Sequence, residues 1–203
     1  MKRVIGLTGP TGAGKSEAAR ALAAAGCVIV DADQLSRKAV AAPACLQALA
    51  EAFGSDILLS DGTLNRRELA RRAFAAPDKE QLLNRITHPR ILKYMEQEIL
   101  HALESGAKAV IVDAPLLFES GADSICQSVM AVLAPEKIRL ARICRRDGIS
   151  ESDARLRMQI QPKDDFYISR ADRVFYNDGT AEDLAAQVTQ WLAGQLREVA
   201  DEG

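Results

Sequence analysis

Aromatic side chains are scarce, at 4% of the 203 residues. So few rings leave little for bases to stack on, which argues against a single-stranded nucleic-acid binder. A cationic surplus is missing too: the formal net charge is −2, whereas general nucleic-acid binders are basic. No nucleic-acid partner is expected. Cys27, Cys45, Cys126 and Cys144 form no C-x-x-C pair, and no histidine stands near them at zinc-finger spacing. Four reduced thiols that pack as small hydrophobes are predicted. No stretch approaches the roughly 18 apolar residues of a membrane span. The chain opens on a strand-like run, Val4-Ile5-Gly6-Leu7, rather than on a signal region. These absences predict a cytoplasmic protein with no membrane partner, present as a monomer or weak homo-oligomer.

The remaining composition is that of an ordinary globular enzyme, 48% hydrophobic and 27% charged. Its length suits one domain with a smaller appendage built in. Five short apolar runs read as buried strands: 4–7, 27–30, 109–112, 128–133 and 173–176. Helical patterns separate most of them, which predicts an α/β fold with a parallel five-stranded sheet covered by helices. The second and third runs are separated by residues 32–107, far more than the dozen or so that a parallel crossover needs. Helices are predicted there at 43–53, 65–74 (after the turn Asp61-Gly62), 78–86 and 89–105, the last starting on Pro89. Such an insertion either overhangs the carboxyl ends of the strands, where open α/β sheets bind ligands, or acts as a buttress without a ligand.

Gly9-Pro10-Thr11-Gly12-Ala13-Gly14-Lys15-Ser16 matches G-x-x-x-x-G-K-[ST], with a strand before it and a helix-forming run, 17–25, after it. The glycines let successive amides turn inward toward phosphate oxygens, and the helix adds its positive end. Lys15 can reach the β- and γ-phosphates, and the Ser16 hydroxyl can ligate Mg2+. A nucleoside triphosphate with Mg2+ is therefore the expected co-substrate. Neither the N-K-x-D of guanine-specific switches nor the L-S-G-G-Q of transporter ATPases occurs. A short chain with one such loop and a helical insertion points to a small-molecule kinase.

The second strand ends in Asp31-Ala32-Asp33. A kinase acting on an alcohol benefits from a carboxylate that accepts the hydroxyl proton, and Asp33, just past the strand, is better placed for this than Asp31. Surface solvation is the plainer account of such a pair. Asp113 ends the third strand, as an acidic residue that holds magnesium often does. Arg139, Arg142 and Arg146 fall within about 60° on one helix, beside the apolar stripe Leu140, Ile143 and Cys144. They form either a phosphate-directed edge or a solvated basic face. His88, in Thr87-His88-Pro89, is read at a helix start, as a capping residue or a functional one.

Several segments resemble the dephospho-CoA kinase family. They are Asp31-Ala32-Asp33 with Arg37 (D-A-D-x-x-x-R), Asp61 to Arg66 with Leu69 (D-G-x-L-x-R-x-x-L), His88-Pro89, and Pro115-Leu116-Leu117-Phe118-Glu119 (P-L-L-F-E). Arg142, Arg146 and Asp147 are similar to R-x-x-x-R-D, and Arg157 with Gln161, Ala171-Asp172 and Asn177 completes the pattern. The likeness runs in order from Val4 to about Gly179. One departure is Tyr167, where many members have a lysine about six residues after the lid glutamine; Lys163 lies nearby.

The resemblance implies a phosphate-loop core at 1–33, 107–140 and 172–203, a helical acceptor subdomain at 34–106 and a lid at 141–171. It implies transfer of the γ-phosphate of ATP to the 3′-hydroxyl of the dephospho-CoA ribose. Asp33 would be the base, with Lys15 and Arg142 at the transferred phosphate and Arg146 on the nucleotide. Arg37, Arg66, His88, Pro115, Leu116, Leu117 and Glu119 would bind the acceptor.

Overall fold

The computed structural model describes residues 3–201. Five strands form one sheet: β1 (Arg3–Thr8), β2 (Val28–Asp31), β3 (Ala109–Asp113), β4 (Ser128–Leu133) and β5 (Arg173–Tyr176), in the order β2-β3-β1-β4-β5. β1 pairs in parallel with β3 and β4, and β4 with β5. The predicted α/β sheet is present, and β3 lies between β1 and β2.

Side-chain alternation along the strands feeds two layers. Ile5, Leu7, Met130 and Val132 join Leu22 of α1 (Lys15–Ala24) and Leu184, Val188 and Leu192 of α9 (Ala181–Asp201) in one core. Ala131 and Leu133, one residue out of phase, pack instead with Tyr167. Each fully buried leucine contributes about 1.5–3 kcal/mol. Trp191 packs edge-on to Phe175 with centroids 6.0 Å apart, a core role as expected. The described cysteines are free; Cys27 and Cys45 are buried, Cys126 and Cys144 half-buried. Burial pushes the Cys126 thiol up to about 12.

The chain divides into two compact units. One runs to Val30 and resumes at Ile99; the other is Asp31–Glu98. The second unit contains α2 (Ala32–Ala41), α3 (Pro43–Phe53), α4 (Arg66–Ala73) and most of α5 (Pro77–Glu104), around a core of Val40, Cys45, Leu49, Phe53, Ile57 and Leu69. Two local readings need correction. Residues 32–41, read as a strand end and connection, are helical, because the Asp31 carboxylate caps α2 by accepting from the Gln34 amide at 2.9 Å. The helices predicted at 78–86 and 89–105 are one helix, with Pro89 inside it. The proline ring removes one amide donor. The helix runs on through it, and nearby carbonyls take side-chain donors, Thr87 Oγ1 to Leu83 at 2.9 Å and Arg90 Nη1 to Ile86 at 2.5 Å. His88 is therefore mid-helix and caps nothing, and Thr87 is buried.

The segment Asp61 to Arg66 is a turn and a cap. Asp61 Oδ1 accepts from the Thr63 amide (2.9 Å) and hydroxyl (2.6 Å), and Gly62 sits at φ 79°, a region that favours glycine. Asn65 then caps α4 by accepting from the Glu68 amide at 3.1 Å.

Candidate active site

The phosphate loop leaves the end of β1 and enters α1 through Gly14, at φ 105°. A Cβ on Gly9 (φ 146°) would be driven into the Val132 carbonyl, and one on Gly14 into the Asn177 carboxamide. Gly9 is required by the backbone pressed against it and Gly14 by the Asn177 side chain, as well as by the turn.

The loop backbone is held by four side chains from beyond residue 138. Arg139, buried on α6 (Glu136–Asp147), donates through Nε to the Thr11 carbonyl at 3.0 Å. Gln161 Oε1 accepts from the Thr11 amide at 3.0 Å and from Arg139 Nη2 at 3.4 Å. Asn177, just past β5 and only 3% exposed, donates Nδ2 to the Ala13 carbonyl at 2.8 Å and accepts from Arg142 Nη2 at 3.2 Å. Arg142 Nη1 also reaches the Gly12 and Ala13 carbonyls at 3.4 and 3.3 Å. On the arginine edge of α6, Arg139 and Arg142 are therefore turned onto the loop, while Arg146 stays exposed. Burial lowers the Arg139 pKa, and the Asp164 carboxylate opposes that shift.

These parts enclose a cleft of about 610 Å³ lined by Gly9, Thr11, Gly12, Gly14, Lys15 and Ser16 together with Pro115, Arg142, Arg145 and Arg146. Arg146 donates to both Asp147 oxygens, at 2.7 and 3.0 Å, and to Thr11 Oγ1 at 3.4 Å. The Asp147 carboxylate raises the Arg146 pKa, and Asp147 also accepts from Arg157 at 2.7 Å, tying α6 to α7 (Glu151–Gln159). Lys15 Nζ donates to the Asp113 carboxylate at the end of β3. Ala13 is buried and lies outside the lining. Such a pocket, with Lys15 and three arginines beside a helix N-terminus, is suited to a polyphosphate.

A family model described as dephospho-CoA kinase matches residues 3–183. The chain belongs to the dephospho-CoA kinase family. Dephospho-CoA kinase of Corynebacterium glutamicum is 44% identical over 197 residues, covering 96% of this chain and 98% of that one. The Enterococcus faecalis protein of the same name is 38% identical over 200 residues, covering 97% and 98%. Among solved structures, dephospho-CoA kinase from Campylobacter jejuni superposes with a TM-score of 0.71 at 25% identity, covering 98% of this chain and 99% of that one. A Thermus thermophilus crystal structure reaches 0.80 at 30% identity, covering 95% and 97%.

The remaining segments that resemble the dephospho-CoA kinase family fall in different settings. Asp33 is exposed in the first turn of α2, with Arg37 exposed one turn on. Arg66, at the start of α4, borders a small apolar pocket, and His88 lines a shallow depression with Gln81, Asn84, Arg85 and Pro89. Leu116 and Glu119 are exposed, whereas Leu117 is fully buried against Gly6. Tyr167, in the place of the family's lysine, is core, its hydroxyl pushed up to about 12 by burial. Lys163 is exposed just before α8 (Asp164–Ile168). Arg145, Gln161 and Asn177 belong to the cleft but were not candidates from sequence. Their signal lay in position: Arg145 is three residues after Arg142, Gln161 four after Arg157, and Asn177 just past the edge strand β5.

Proposed function

We propose that this chain is a dephospho-CoA kinase, which transfers the γ-phosphate of ATP to the 3′-hydroxyl of the dephospho-CoA ribose and releases CoA and ADP, the last step of coenzyme A biosynthesis. The observation that carries this reading is the cation-lined cleft around the phosphate loop in a chain of this family. The loop amides and Lys15 cradle the β- and γ-phosphates, and Arg142 and Arg146 offset charge on the transferred group.

The Ser16 hydroxyl and Asp113 carboxylate are hard oxygen donors flanking Lys15, and they fit Mg2+, which takes few protein ligands and relies on phosphate and water. When bound, the ion neutralises phosphate charge. The acceptor oxygen attacks the γ-phosphorus, its proton passes to Asp33, and the bond to the β,γ-bridging oxygen breaks with its electron pair leaving on ADP. Arg37, Arg66 and His88 with Pro115, Leu116 and Glu119 recognise the acceptor, and Leu117 anchors the last three. Residues 141–171, which include Arg142 and Arg146, form the lid over the nucleotide.

A coupled ADP-release assay tests the reading. Dephospho-CoA should stimulate release far more than adenosine, shikimate or gluconate does. Stimulation by one of those three, with none by dephospho-CoA, would replace it with another acceptor kinase.

A further inference from the structure

The second unit contains an apolar pocket of about 200 Å³ whose carbon lining includes Val40, Leu64, Phe74 and Ile91, with Ser36, Arg66 and Thr87 as its polar members, the Thr87 hydroxyl being bonded to the Leu83 carbonyl. Phe74 caps α4 and remains 64% exposed. An exposed phenyl ring beside a carbon-lined hollow is an unspent apolar surface. On α2, Asp33, Ser36, Arg37 and Val40 follow the i, i+3, i+4, i+7 spacing of one helix face. At about 1.5 Å of rise per residue, the pocket's Val40 lies roughly 10 Å along the helix from Asp33. Successive positions on this face thus offer a carboxylate, then a hydroxyl and a guanidinium, then hydrocarbon, with the Arg66 guanidinium at the pocket itself.

We propose that this pocket takes the pantetheine arm of the acceptor, seating its dimethyl-bearing segment against Phe74 and Val40. The inference rests on the proposed reaction, because the acceptor presents its groups in the same order: a ribose hydroxyl, a diphosphate, then a branched apolar carbon. Asp33 meets the first, Arg37 and Arg66 the second, and the pocket the third. An acceptor with the adenosine diphosphate but no arm leaves the pocket unused.

The test compares dephospho-CoA with ADP-ribose, which keeps the adenosine 5′-diphosphate and replaces the arm with a sugar. ADP-ribose is measured both as an acceptor and as a competitive inhibitor, so its affinity is obtained whether or not it is phosphorylated. Phe74→Ala should lower kcat/KM for dephospho-CoA about tenfold, or ~1.4 kcal/mol, mainly through KM, and leave ADP-ribose within about twofold. Ala70→Gln, which pushes a side chain into the same pocket, should do likewise, with thermal unfolding showing both variants folded. Equal losses for both acceptors, no loss for either, or wild-type affinity for ADP-ribose equal to that for dephospho-CoA would each overturn the assignment. If the wild type fails to phosphorylate dephospho-CoA, the reaction falls. Calorimetric affinities for the two compounds then still decide the pocket.

Discussion

Replacing Asn177 with alanine should damage both stability and catalysis, because one buried carboxamide ties the loop to an arginine. Its two side-chain bonds are a neutral one to the Ala13 carbonyl at 2.8 Å and one from the Arg142 guanidinium at 3.2 Å. A neutral bond contributes about 1 kcal/mol and one to a charged group about 1.5–3. Ala13 keeps a second donor, Arg142 Nη1 at 3.3 Å, so the loss falls toward the lower part of roughly 2–4 kcal/mol. For a chain of this length, that lowers the unfolding midpoint by roughly 5–15 °C. Turnover should fall as well, since Arg142 loses the partner that orients it. Asn177→Asp separates tie from packing. It keeps the volume, sets an oxygen against the Ala13 carbonyl and neutralises one cation at the cleft, so ATP affinity should suffer more than the midpoint does. Thermal unfolding with and without ATP, alongside steady-state kinetics, measures both. An alanine variant with a midpoint within about 2 °C of wild type and unchanged kcat would refute the reasoning.

Lys15→Ala should cut turnover by orders of magnitude by removing the counter-charge to the transferred phosphoryl; near-normal kcat in the ADP assay would remove the loop from the chemistry. Asp33→Asn should lower kcat about 10²–10⁴-fold with little change in ATP affinity by calorimetry. Asp31→Asn, which preserves a good cap for α2, is the control and should do much less. If ATP affinity collapses in Asp33→Asn, Asp33 acts through magnesium instead. Hydrogen bonds from Arg71 and Arg72 hold the Glu68 carboxyl down to about 2, from 4.5. A depressed carboxylate supports the fold above its ordinary pKa, so this support should fade as pH falls from 4.5 toward about 2. Acid titration of the unfolding midpoint should show a shallower decline in Glu68→Gln, and identical slopes would contradict the pairing.

The sheet and the phosphate loop were legible because their signals are local: apolar runs of strand length, and glycines at fixed spacing before Lys15. Helix α2 was hidden by reading Asp31 to Asp33 as the end of a strand. The cap–x–x–Gln spacing of Asp31 and Gln34 was the signal for a helix start. Pro89 misled because proline is common at helix starts, yet the apolar positions Leu82, Leu83 and Ile86 before it and the buried Met95 after it keep one helix running through. Asn177 and Gln161 could be matched to a family pattern but not given a role, since their partners lie 164 and 150 positions away.

Those separations bear on how the protein comes into being. The glycine-lysine motif at 9–16 is synthesised well before the side chains that bracket it, which arrive at positions 139, 142, 161 and 177. The contacts that hold the loop are therefore among the most non-local in the chain, and loop-closure entropy makes such contacts slow to form. A ribosome-bound fragment that ends before β5 carries the whole motif without the carboxamide that fixes its backbone. The loop is made before the side chains that complete it, so a chain that lacks them has no finished cradle with which to sequester ATP.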